Sequence, residues 1–469
     1  MPGEAIVVGS GPNGLAGAVA LARGGHAVTV LEAQPHIGGC ARSAELTLPG
    51  LLHDVGASAH PTGAVSPFFA ALDLPGLEWL RPDVDLAHPL DDGTAPALTG
   101  SVADTAARLG ADGPTWRRVF EPLARAADPL AAELLGPALH LPRHPIPLAQ
   151  YGLRALPPAS LLARTWRGEA ARALFGGMAA HLFGPLNRPM SSALGVLFAA
   201  LGHARGWPVA RGGSQAVVDA LAALLTRLGG TVETGVRVRS LDELPPAPIV
   251  LLDLAPSAAA TVLGDRMPPR TRRAYARFRH APGAHKVDLA VEGGVPWRDE
   301  ACRRAGTLHL GGSMAEIVDT ERQVSRGGMP QRPFVLVSQQ YLADTARSSG
   351  NLHPVSAYAH VPHGYPGEAT EAVLDQFERF APGARDRVLA TSTMSPADLE
   401  RANPNHVGGD IITGANTPWQ MVARPRPALD PYSTGVPGVY LCSAATPPGA
   451  GVHGMCGYYA AQSAMRNHR

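Results

Sequence analysis

The chain has 469 residues, of which 45% are hydrophobic and 17% are charged, and its formal net charge is +1 at pH 7. This length allows two or three domains with a large buried core. The near-neutral charge and the lack of a basic block argue against nucleic acid as a partner. Four cysteines without the spacing of a zinc site predict reduced thiols, no metal and a cytoplasmic protein. We expect no signal peptide and no membrane-spanning helix, because the first strand begins by Ala5 and the apolar runs are short.

The stretch from Ala5 to Arg42 carries the clearest pattern of the chain. An apolar run from Ala5 to Val8 predicts a buried parallel strand, and His26 to Leu31 predicts a second strand after a helix of small residues. The turn between the first strand and the helix, Gly9 to Gly14, has the spacing G-x-G-x-x-G. Glu32 ends the second strand. Strand, glycine turn, helix, strand and acid together predict a dinucleotide site.

Glycines at these positions permit a tight turn, a close approach of the backbone to a pyrophosphate, and close packing of helix against strand. Glu32 is placed to accept hydrogen bonds from a ribose hydroxyl pair, and its charge argues against a 2′-phosphate and therefore against NADP. A second glycine pair and an arginine follow. From this end of the chain we assign to the cofactor site Gly9, Gly11, Pro12, Asn13, Gly14, Glu32, Ala33, Gly38, Gly39 and Arg42.

The middle of the chain predicts a helical insertion followed by a sheet. Helices are predicted over 102–110, 115–135, 168–183, 190–203 and 214–228, and a proline-rich connector over 141–158. Strands are predicted over 248–254, 284–292, 305–311, 333–338, 354–360 and 386–394, with a strand or hairpin over 231–241 and a helix near 367–380. The apolar run Ala193 to Leu201 predicts a core helix, with a weak peripheral membrane contact as the alternative.

The C-terminal stretch is the second landmark. Gly438 to Ser443 predicts a strand, and Pro447 to Ala461 predicts a glycine-rich turn that leads into a helix. The N-terminal amides of such a helix attract an anion or an electron-rich ring edge. Both ends of the chain therefore offer a helix N-terminus after a strand, and a ligand as long as a dinucleotide reaches both.

These motifs together resemble a known group of proteins. The fingerprint with Glu32 and Gly38-Gly39-x-x-Arg42 is similar to the FAD-binding motif of the amine oxidase and phytoene desaturase superfamily. Pro448 to Gly454 resembles the P-G-A-G-x-x-G signature of bacterial phytoene desaturases. Closer still is the phytoene desaturase-like subgroup called pyridine nucleotide-disulfide oxidoreductase domain-containing protein 2, whose phrases resemble Trp207-Pro-Val-Ala-Arg-Gly-Gly-Ser-Gln, Lys286-Val-Asp, Asn403-Pro-Asn and Gly451-Val-His-Gly-Met-Cys-Gly.

The resemblance implies an α/β fold with a discontinuous Rossmann-like FAD-binding domain and a substrate domain of mixed β-sheet and helices. The FAD-binding domain is expected to comprise residues 1–75, 206–262 and 428–469, and the substrate domain residues 76–205 and 263–427. FAD is expected to bind noncovalently, because neither Cys442 nor Cys456 lies where cysteinyl attachment occurs in monoamine oxidases. From the remainder of the chain the resemblance adds to the cofactor site Val236, Ala444, Gly451, Val452 and His453.

The resemblance also marks candidate catalytic residues. The 40 basic residues of the chain include a single lysine, Lys286, and in amine oxidases a lysine on the corresponding strand reaches flavin N5 through a water. A positive charge there stabilises a reduced anionic flavin or assists its reaction with oxygen. His453 begins the C-terminal helix and is expected to be neutral. Further candidates, each weighed against a structural role, are Tyr459, His181 and Asp410.

The expected reaction is that of an FAD-dependent dehydrogenase or desaturase, which passes hydride from a C–H bond of a lipophilic small molecule to flavin N5. A flavin amine oxidase is one alternative, although the phrase from Ser443 to Thr446 lacks the aromatic residue typical of those enzymes. A redox-neutral isomerase and an FAD-stabilised protein without turnover are the others. Oxygen, a quinone or another protein is expected as electron acceptor. NAD(P)H is not expected to bind tightly, since no second G-x-G-x-x-G with its own acid is present.

Overall fold

The computed structural model describes residues 3–468. The strands are β1 (Glu4–Val8), β2 (Ala27–Glu32), β3 (Ser43–Glu45), β4 (Leu52–Asp54), β5 (Trp79–Leu80), β6 (Val84–Ala87), β7 (Ala97–Leu98), β8 (Val209–Ala210), β9 (Thr231–Thr234), β10 (Ile249–Leu252), β11 (Gly283–Glu292), β12 (Ala305–Leu310), β13 (Val335–Ser338), β14 (Leu352–Val361), β15 (Val388–Met394) and β16 (Val439–Leu441).

The α-helices are α1 (Pro12–Arg23), α2 (Pro67–Ala70), α3 (Val102–Arg108), α4 (Gly113–Arg125), α5 (Ala127–Leu134), α6 (Pro145–Ala155), α7 (Ala159–Leu162), α8 (Glu169–Ala180), α9 (Ala193–Arg205), α10 (Gln215–Arg227), α11 (Pro256–Leu263), α12 (Pro269–Ala276), α13 (Glu300–Arg304), α14 (Met314–Ser325), α15 (Thr370–Phe380), α16 (Pro396–Ala402), α17 (Pro418–Val422) and α18 (Met455–Asn467).

The first main sheet is parallel throughout, in the order β16-β10-β1-β2-β9. Its inner strands are apolar runs because both faces are covered. Ala5 and Val7 face the core that contains α1 and α18, whereas Ile6 and Val8 face the core that contains α11. The strands come from the beginning, the middle and the end of the chain. The predicted α/β fold with a discontinuous Rossmann-like domain is therefore confirmed.

The second main sheet is mixed, in the order β15-β11-β14-β13-β12-β6-β7, and only the β6–β12 pair is parallel. Successive side chains of a strand point to opposite faces. In β11, Val287 and Leu289 belong to the apolar core under α15. Lys286 and Asp288 therefore lie on the other face of the sheet, which faces a cavity. This mixed sheet confirms the second half of the predicted fold, while the exact domain boundaries stay a prediction.

Three sequence-based elements differ from the structure. The helix predicted over 115–135 is two helices, α4 and α5, because Pro129 cannot supply the N–H that would continue α4. The connector predicted over 141–158 contains α6, whose Pro145 and Pro147 lie in the first turn, where no backbone donor is needed. The hairpin alternative for 231–241 is wrong, because the chain turns at Gly235 and residues 235–241 form no second strand.

Helix α9, which contains the apolar run Ala193 to Leu201, is buried along most of its length, as predicted for a core helix. Its surface is therefore not available for membrane contact. Across residues 3–468, none of the helices combines the length and the apolar character needed to cross a bilayer.

Candidate functional site

One large cavity, of about 1020 Å³, lies where the carboxyl edge of the parallel sheet meets the mixed sheet. At one end its wall is formed by the glycine turn, Glu32 and Val236. At the other end the wall includes Lys286 and Tyr358. The volume is at the upper end of the range for small-molecule and cofactor pockets. The cavity therefore has room for a long ligand.

The glycine turn is packed so closely that larger residues do not fit. Gly9 has a φ of 101°, a backbone conformation that residues with a Cβ rarely adopt. A Cβ on Gly14 would lie 2.1 Å from the carbonyl oxygen of Gly9. Gly11, Pro12 and Asn13 line the cavity, whereas Gly14 lies behind them against the strand. The N-terminal amides of α1 are thus presented to the cavity.

The carboxylate of Glu32 is held in place by three hydrogen bonds. It accepts from the backbone N–H of Ser10 at 2.9 Å, from the Ser10 hydroxyl at 2.6 Å, and from the backbone N–H of Gln34 at 2.8 Å. Glu32 lies at the end of β2 and lines the cavity together with Ala33. This position at the strand end suits a ribose hydroxyl pair, as the sequence predicted.

The second glycine pair supports the turn and brings an arginine to the cavity. Gly38 has a φ of 116° and donates to the Ser10 carbonyl at 3.1 Å. A Cβ on Gly39 would lie 3.3 Å from the Cα of Gly11. Arg42 lines the cavity, and its buried Nε has no hydrogen-bond acceptor in the protein. A buried donor without a partner is unfavourable, so an anion from outside the chain suits this position.

The C-terminal turn supplies the cavity wall near α18. Ala444, Gly451, Val452 and His453 all line it. The Nδ1 atom of His453 accepts a hydrogen bond from the Met455 N–H at 3.1 Å, so the proton of the neutral ring lies on Nε2. Burial lowers the pKa of His453 to about 4, which keeps the ring neutral near pH 7.

Lys286 is buried at the cavity wall and forms an ion pair with Asp288, two residues along the same strand. Asp288 also accepts a hydrogen bond from the Ser356 hydroxyl at 2.6 Å, and His53 Nδ1 lies 3.5 Å from it. Burial by itself would raise the pKa of Asp288, but the charge of Lys286 and the His53 contact outweigh burial and hold that pKa below its ordinary value. No sequence motif indicated His53.

His181 also lines the cavity, at the end of α8. Its Nε2 lies 2.9 Å from the Nε2 of His309, which is buried on β12. Burial lowers the pKa of His181 to about 3 and that of His309 well below its usual range, so two neutral rings share one N–H···N bond. Sequence reasoning missed His309. The signal was its position two residues after Thr307, which lines the same cavity and lies on the same face of β12.

Two predicted catalytic residues lie away from the cavity wall. Tyr459 packs against Tyr432 and Tyr458, with ring centroids 6.3 and 5.3 Å away. Asp410 is buried and accepts from the backbone N–H groups of Gly414 at 2.6 Å and Ala281 at 3.0 Å. Tyr459 is used in packing and Asp410 in ordering a loop, and neither lines the cavity.

A second buried cation, Arg424, lines the cavity near the C-terminal turn. It donates to the carbonyl oxygen of Ala444 at 3.1 Å and to the side-chain oxygen of Asn416 at 3.0 Å. No carboxylate of residues 3–468 forms an ion pair with it. Five cationic side chains therefore border the cavity: Arg237 and Arg239 are exposed, whereas Arg42, Lys286 and Arg424 are buried or half-buried.

Comparison with known proteins agrees with this architecture. Residues 7–72 match the NAD(P)-binding Rossmann-like domain family. The mouse pyridine nucleotide-disulfide oxidoreductase domain-containing protein 2 is 25% identical, over 99% of this chain and 93% of its own length. An uncharacterised protein of Mycobacterium tuberculosis is 24% identical, over 98% of this chain and 97% of its own.

Solved structures with a similar fold include an oxidoreductase from Methanosarcina mazei, with a TM-score of 0.65 and 17% identity over 99% of this chain and 100% of that one. A putrescine oxidase gives a TM-score of 0.60 at 16% identity, with 99% of both chains covered. Cyclohexylamine oxidase from Brevibacterium oxydans gives 0.58 at 17%, again with 99% of both chains covered. The resemblance seen in the motifs is thus confirmed: residues 7–72 are similar to the NAD(P)-binding Rossmann-like domain family, and nearly the whole chain is similar to pyridine nucleotide-disulfide oxidoreductase domain-containing protein 2.

Proposed function

We propose that this protein is an FAD-dependent oxidoreductase that transfers hydride from a C–H bond of a lipophilic small molecule to N5 of noncovalently bound flavin. One observation carries the proposal. The cavity that begins at the glycine turn and Glu32 continues without interruption to Lys286 and to an apolar chamber. A cofactor held at its first end would therefore meet a substrate held at its second.

The residues present fit FAD. Glu32 would hold the ribose, and the N-terminus of α1 with the unpartnered Arg42 would hold the pyrophosphate. The neutral ring of His453, which lines the cavity, would contact the pyrimidine edge of the ring system. When bound, FAD supplies a two-electron acceptor. The three buried or half-buried cations bordering the cavity favour negative charge on that cofactor and on its reduced ring.

The chamber beyond Lys286 favours a lipophilic substrate. Its walls are mostly apolar and aromatic, with contributions from Leu148, Tyr151, Phe183, Leu194, Leu197 and Phe198. Walls of this kind exclude water and hold a hydrophobic molecule through contact area. Tyr358 and His181 are two of the polar groups at this wall that would orient it.

An amine substrate is disfavoured because the chamber lacks a free carboxylate for an ammonium group. Glu133 lines the cavity, but it is paired with His140 at 2.5 Å and accepts from the backbone N–H groups of Arg143 and His144. Asp288 is neutralised by Lys286. These two carboxylates are therefore already satisfied within the protein.

Within this proposal the chain has two tasks. Lys286, fixed by Asp288, places a positive charge beside the reacting end of the cofactor. The apolar walls exclude water from the reacting atoms. Oxygen, a quinone or another protein would then accept the electrons, and conversion without net flavin reduction would make the protein an isomerase instead.

We also propose a weak peripheral contact with an anionic membrane surface, through the segment 137–168 rather than through α9. Six large apolar side chains of this segment are exposed: Leu139, Leu141, Ile146, Leu153, Leu156 and Leu161. The segment contains four arginines and no acidic residue. Exposed leucines beside unpaired arginines favour the surface of a bilayer with anionic lipids. Leu156 also lines the cavity, so a lipophilic molecule has a short path from such a surface.

Anaerobic titration of the FAD-loaded protein tests the proposed reaction. Lipophilic alkene and alkane compounds are expected to bleach the flavin absorption with formation of a desaturated product. Bleaching by amines would instead establish an amine oxidase. Product formation without net bleaching would establish an isomerase, and a flavin that no class of compound reduces would support a protein without turnover.

A further inference from the structure

Asp253 is a buried carboxyl group inside the proposed cofactor site that the sequence motifs did not reveal. It directly follows β10, and its backbone N–H donates to the carbonyl oxygen of Val8 at 2.8 Å. Its own carbonyl oxygen accepts from the Asn405 side chain at 2.9 Å. Only 7% of the residue is exposed, and it lines the cavity. Asp253 is therefore held rigidly at the point where β1 and β10 end.

The carboxyl group lies against the glycine turn. Its Oδ2 accepts a hydrogen bond from the backbone N–H of Gly14 at 3.0 Å. A Cβ on Gly11 would lie 2.6 Å from the same oxygen, and a Cβ on Gly9 would lie 3.0 Å from the Cβ of Asp253. An acidic group thus occupies the N-terminal turn of α1, where the pyrophosphate of a dinucleotide is expected.

The charges around Asp253 do not neutralise it. Glu32, on β2, lies nearby and is an anion fixed by three hydrogen bonds. The other titratable groups close to Asp253 are the thiols of Cys40, Cys442 and Cys456, and burial raises the pKa of each of them, so they are neutral. Among residues 3–468, no lysine, arginine or histidine forms an ion pair with Asp253. Burial first, and the Glu32 charge in addition, raise the pKa of Asp253 to about 7.

We propose that Asp253 is a further cofactor-binding residue that carries a proton when the dinucleotide is bound. This inference rests on the proposed FAD site. A pyrophosphate adds negative charge beside a group that already faces Glu32, so the ionised carboxylate is disfavoured. On binding, the carboxylate takes one proton from solvent and becomes a neutral acid, which still accepts from Gly14 through one oxygen and gains an O–H donor on the other. On release of the cofactor the proton returns to solvent.

The test measures FAD affinity as a function of pH at constant ionic strength, by quenching of flavin fluorescence on the cofactor-free full chain. If binding takes up one proton, the dissociation constant of the wild type rises about tenfold from pH 7.5 to 8.5. Asp253→Asn keeps an acceptor for Gly14 without a titrating group, so its affinity is expected to be independent of pH over that range. Calorimetry in buffers of different ionisation enthalpy is expected to show proton uptake for the wild type and none for the variant.

Glu32→Gln is the matched control, because it removes a neighbouring acid that touches the ribose side rather than the turn. It is expected to weaken FAD binding at every pH while binding stays coupled to proton uptake. A wild-type affinity that does not change with pH, or an Asp253→Asn variant with the wild-type slope, would overturn the inference while leaving the FAD site intact. A wild type that binds no FAD at any pH would instead refute the proposed function.

Discussion

The two sheets of this protein present their polar residues in different ways. In the parallel sheet they lie at the carboxyl edge, where strands end: Glu32 is the last residue of β2, and Asp253 directly follows β10. In the mixed sheet they lie on one face, on strands far apart in the chain, as Lys286 does on β11 and Tyr358 on β14. A site at a strand edge produces a compact motif, whereas a site on a sheet face does not.

The two sheets also differ in whether backbone groups or side chains form their part of the site. At the parallel edge backbone amide groups form most of the site, because glycines bring these groups close to one another and to the cavity. On the mixed sheet side chains form the site, because buried charges and neutral histidines are fixed by partners on the same strand, on a neighbouring strand and at the end of α8. Substitutions at the two ends of the cavity, one at the parallel sheet and one at the mixed sheet, should therefore impair different properties. The following predictions use that difference.

The largest effect is expected at the parallel edge, from Gly14→Ala. Its Cβ would lie 2.1 Å from the Gly9 carbonyl oxygen, so α1 must move away from β1 and the amides of the turn lose their positions. We expect no measurable FAD binding, by fluorescence quenching. Gly100→Ala is the control, since a Cβ at Gly100 meets no atom within 4 Å, and it should bind like the wild type. Normal binding by Gly14→Ala would contradict the role given to the turn.

The next effect is expected on the mixed sheet, from Lys286→Met. Loss of the cation is expected to slow flavin reduction by substrate or reoxidation by oxygen by about 100-fold, the magnitude typical for one electrostatic group. The same variant leaves Asp288 buried without its partner and should lose about 3–5 kcal/mol of stability. Stopped-flow absorbance and denaturant titration measure the two consequences separately.

The double variant Lys286→Met/Asp288→Asn separates chemistry from folding. Removing both charges is expected to restore much of the stability, since no uncompensated buried charge remains. The half-reaction rates should stay low, because the cation is still missing. If the double variant regains wild-type rates together with its stability, Lys286 has only a structural role.

A smaller effect is expected at the exposed apolar segment. Leu141 is 92% exposed and Leu153 is 74% exposed, so glutamate at both positions should not disturb the fold. We expect the double variant Leu141→Glu/Leu153→Glu to bind anionic vesicles about tenfold more weakly in cosedimentation, through lost apolar burial and added repulsion. Leu429→Glu, at a fully exposed position, is the control. Equal binding by both variants, or concentration-dependent self-association without vesicle binding, would argue against the membrane contact.

The smallest effect is expected in the pH dependence of the unfolding free energy, where substitutions of His88, beside the mixed sheet, and of Asp253, beside the parallel sheet, should differ. Burial lowers the pKa of His88, which follows β6 in the mixed sheet, to about 4. The pKa of His88 in the folded state lies below its unfolded value of about 6.5. The stabilisation that the neutral ring gives to the folded state is therefore fully present above about pH 6.5 and is lost as the pH falls toward 4. His88→Gln should therefore flatten the fall in unfolding free energy by about 1.4 kcal/mol per pH unit in that window.

Asp253 should act with the opposite sign. Its folded pKa of about 7 lies above the unfolded value of about 3.9, so the folded state binds more protons and is favoured as the pH falls from 7 toward 4. Asp253→Asn should make the acid loss of stability steeper where His88→Gln makes it shallower. Denaturant unfolding at several pH values measures both slopes, and equal slopes in the two variants would contradict the assigned environments.

The residues of the site also differ in whether the sequence alone could predict them. The parallel strands and the glycine turn were predictable from local sequence. A strand covered on both faces is a continuous apolar run, and a tight turn is formed by residues that are adjacent in the chain. His53, His309 and Asp253 were not, because their partners are distant in the chain: His53 and Asp288 are 235 positions apart, while Gly14 and Asp253 are 239 apart. Helix α6 was missed because its prolines, which favour a connector in sequence, lie in a first turn that tolerates them.

The absorption spectrum of the purified chain after incubation with FAD and removal of the free cofactor tests the central claim most directly. We predict flavin bands from about one FAD per chain, which stay with the native protein and are released completely by denaturation, because the cofactor is held without a covalent bond. A chain that retains no flavin after this treatment, or flavin that remains attached to the denatured protein, would contradict the account.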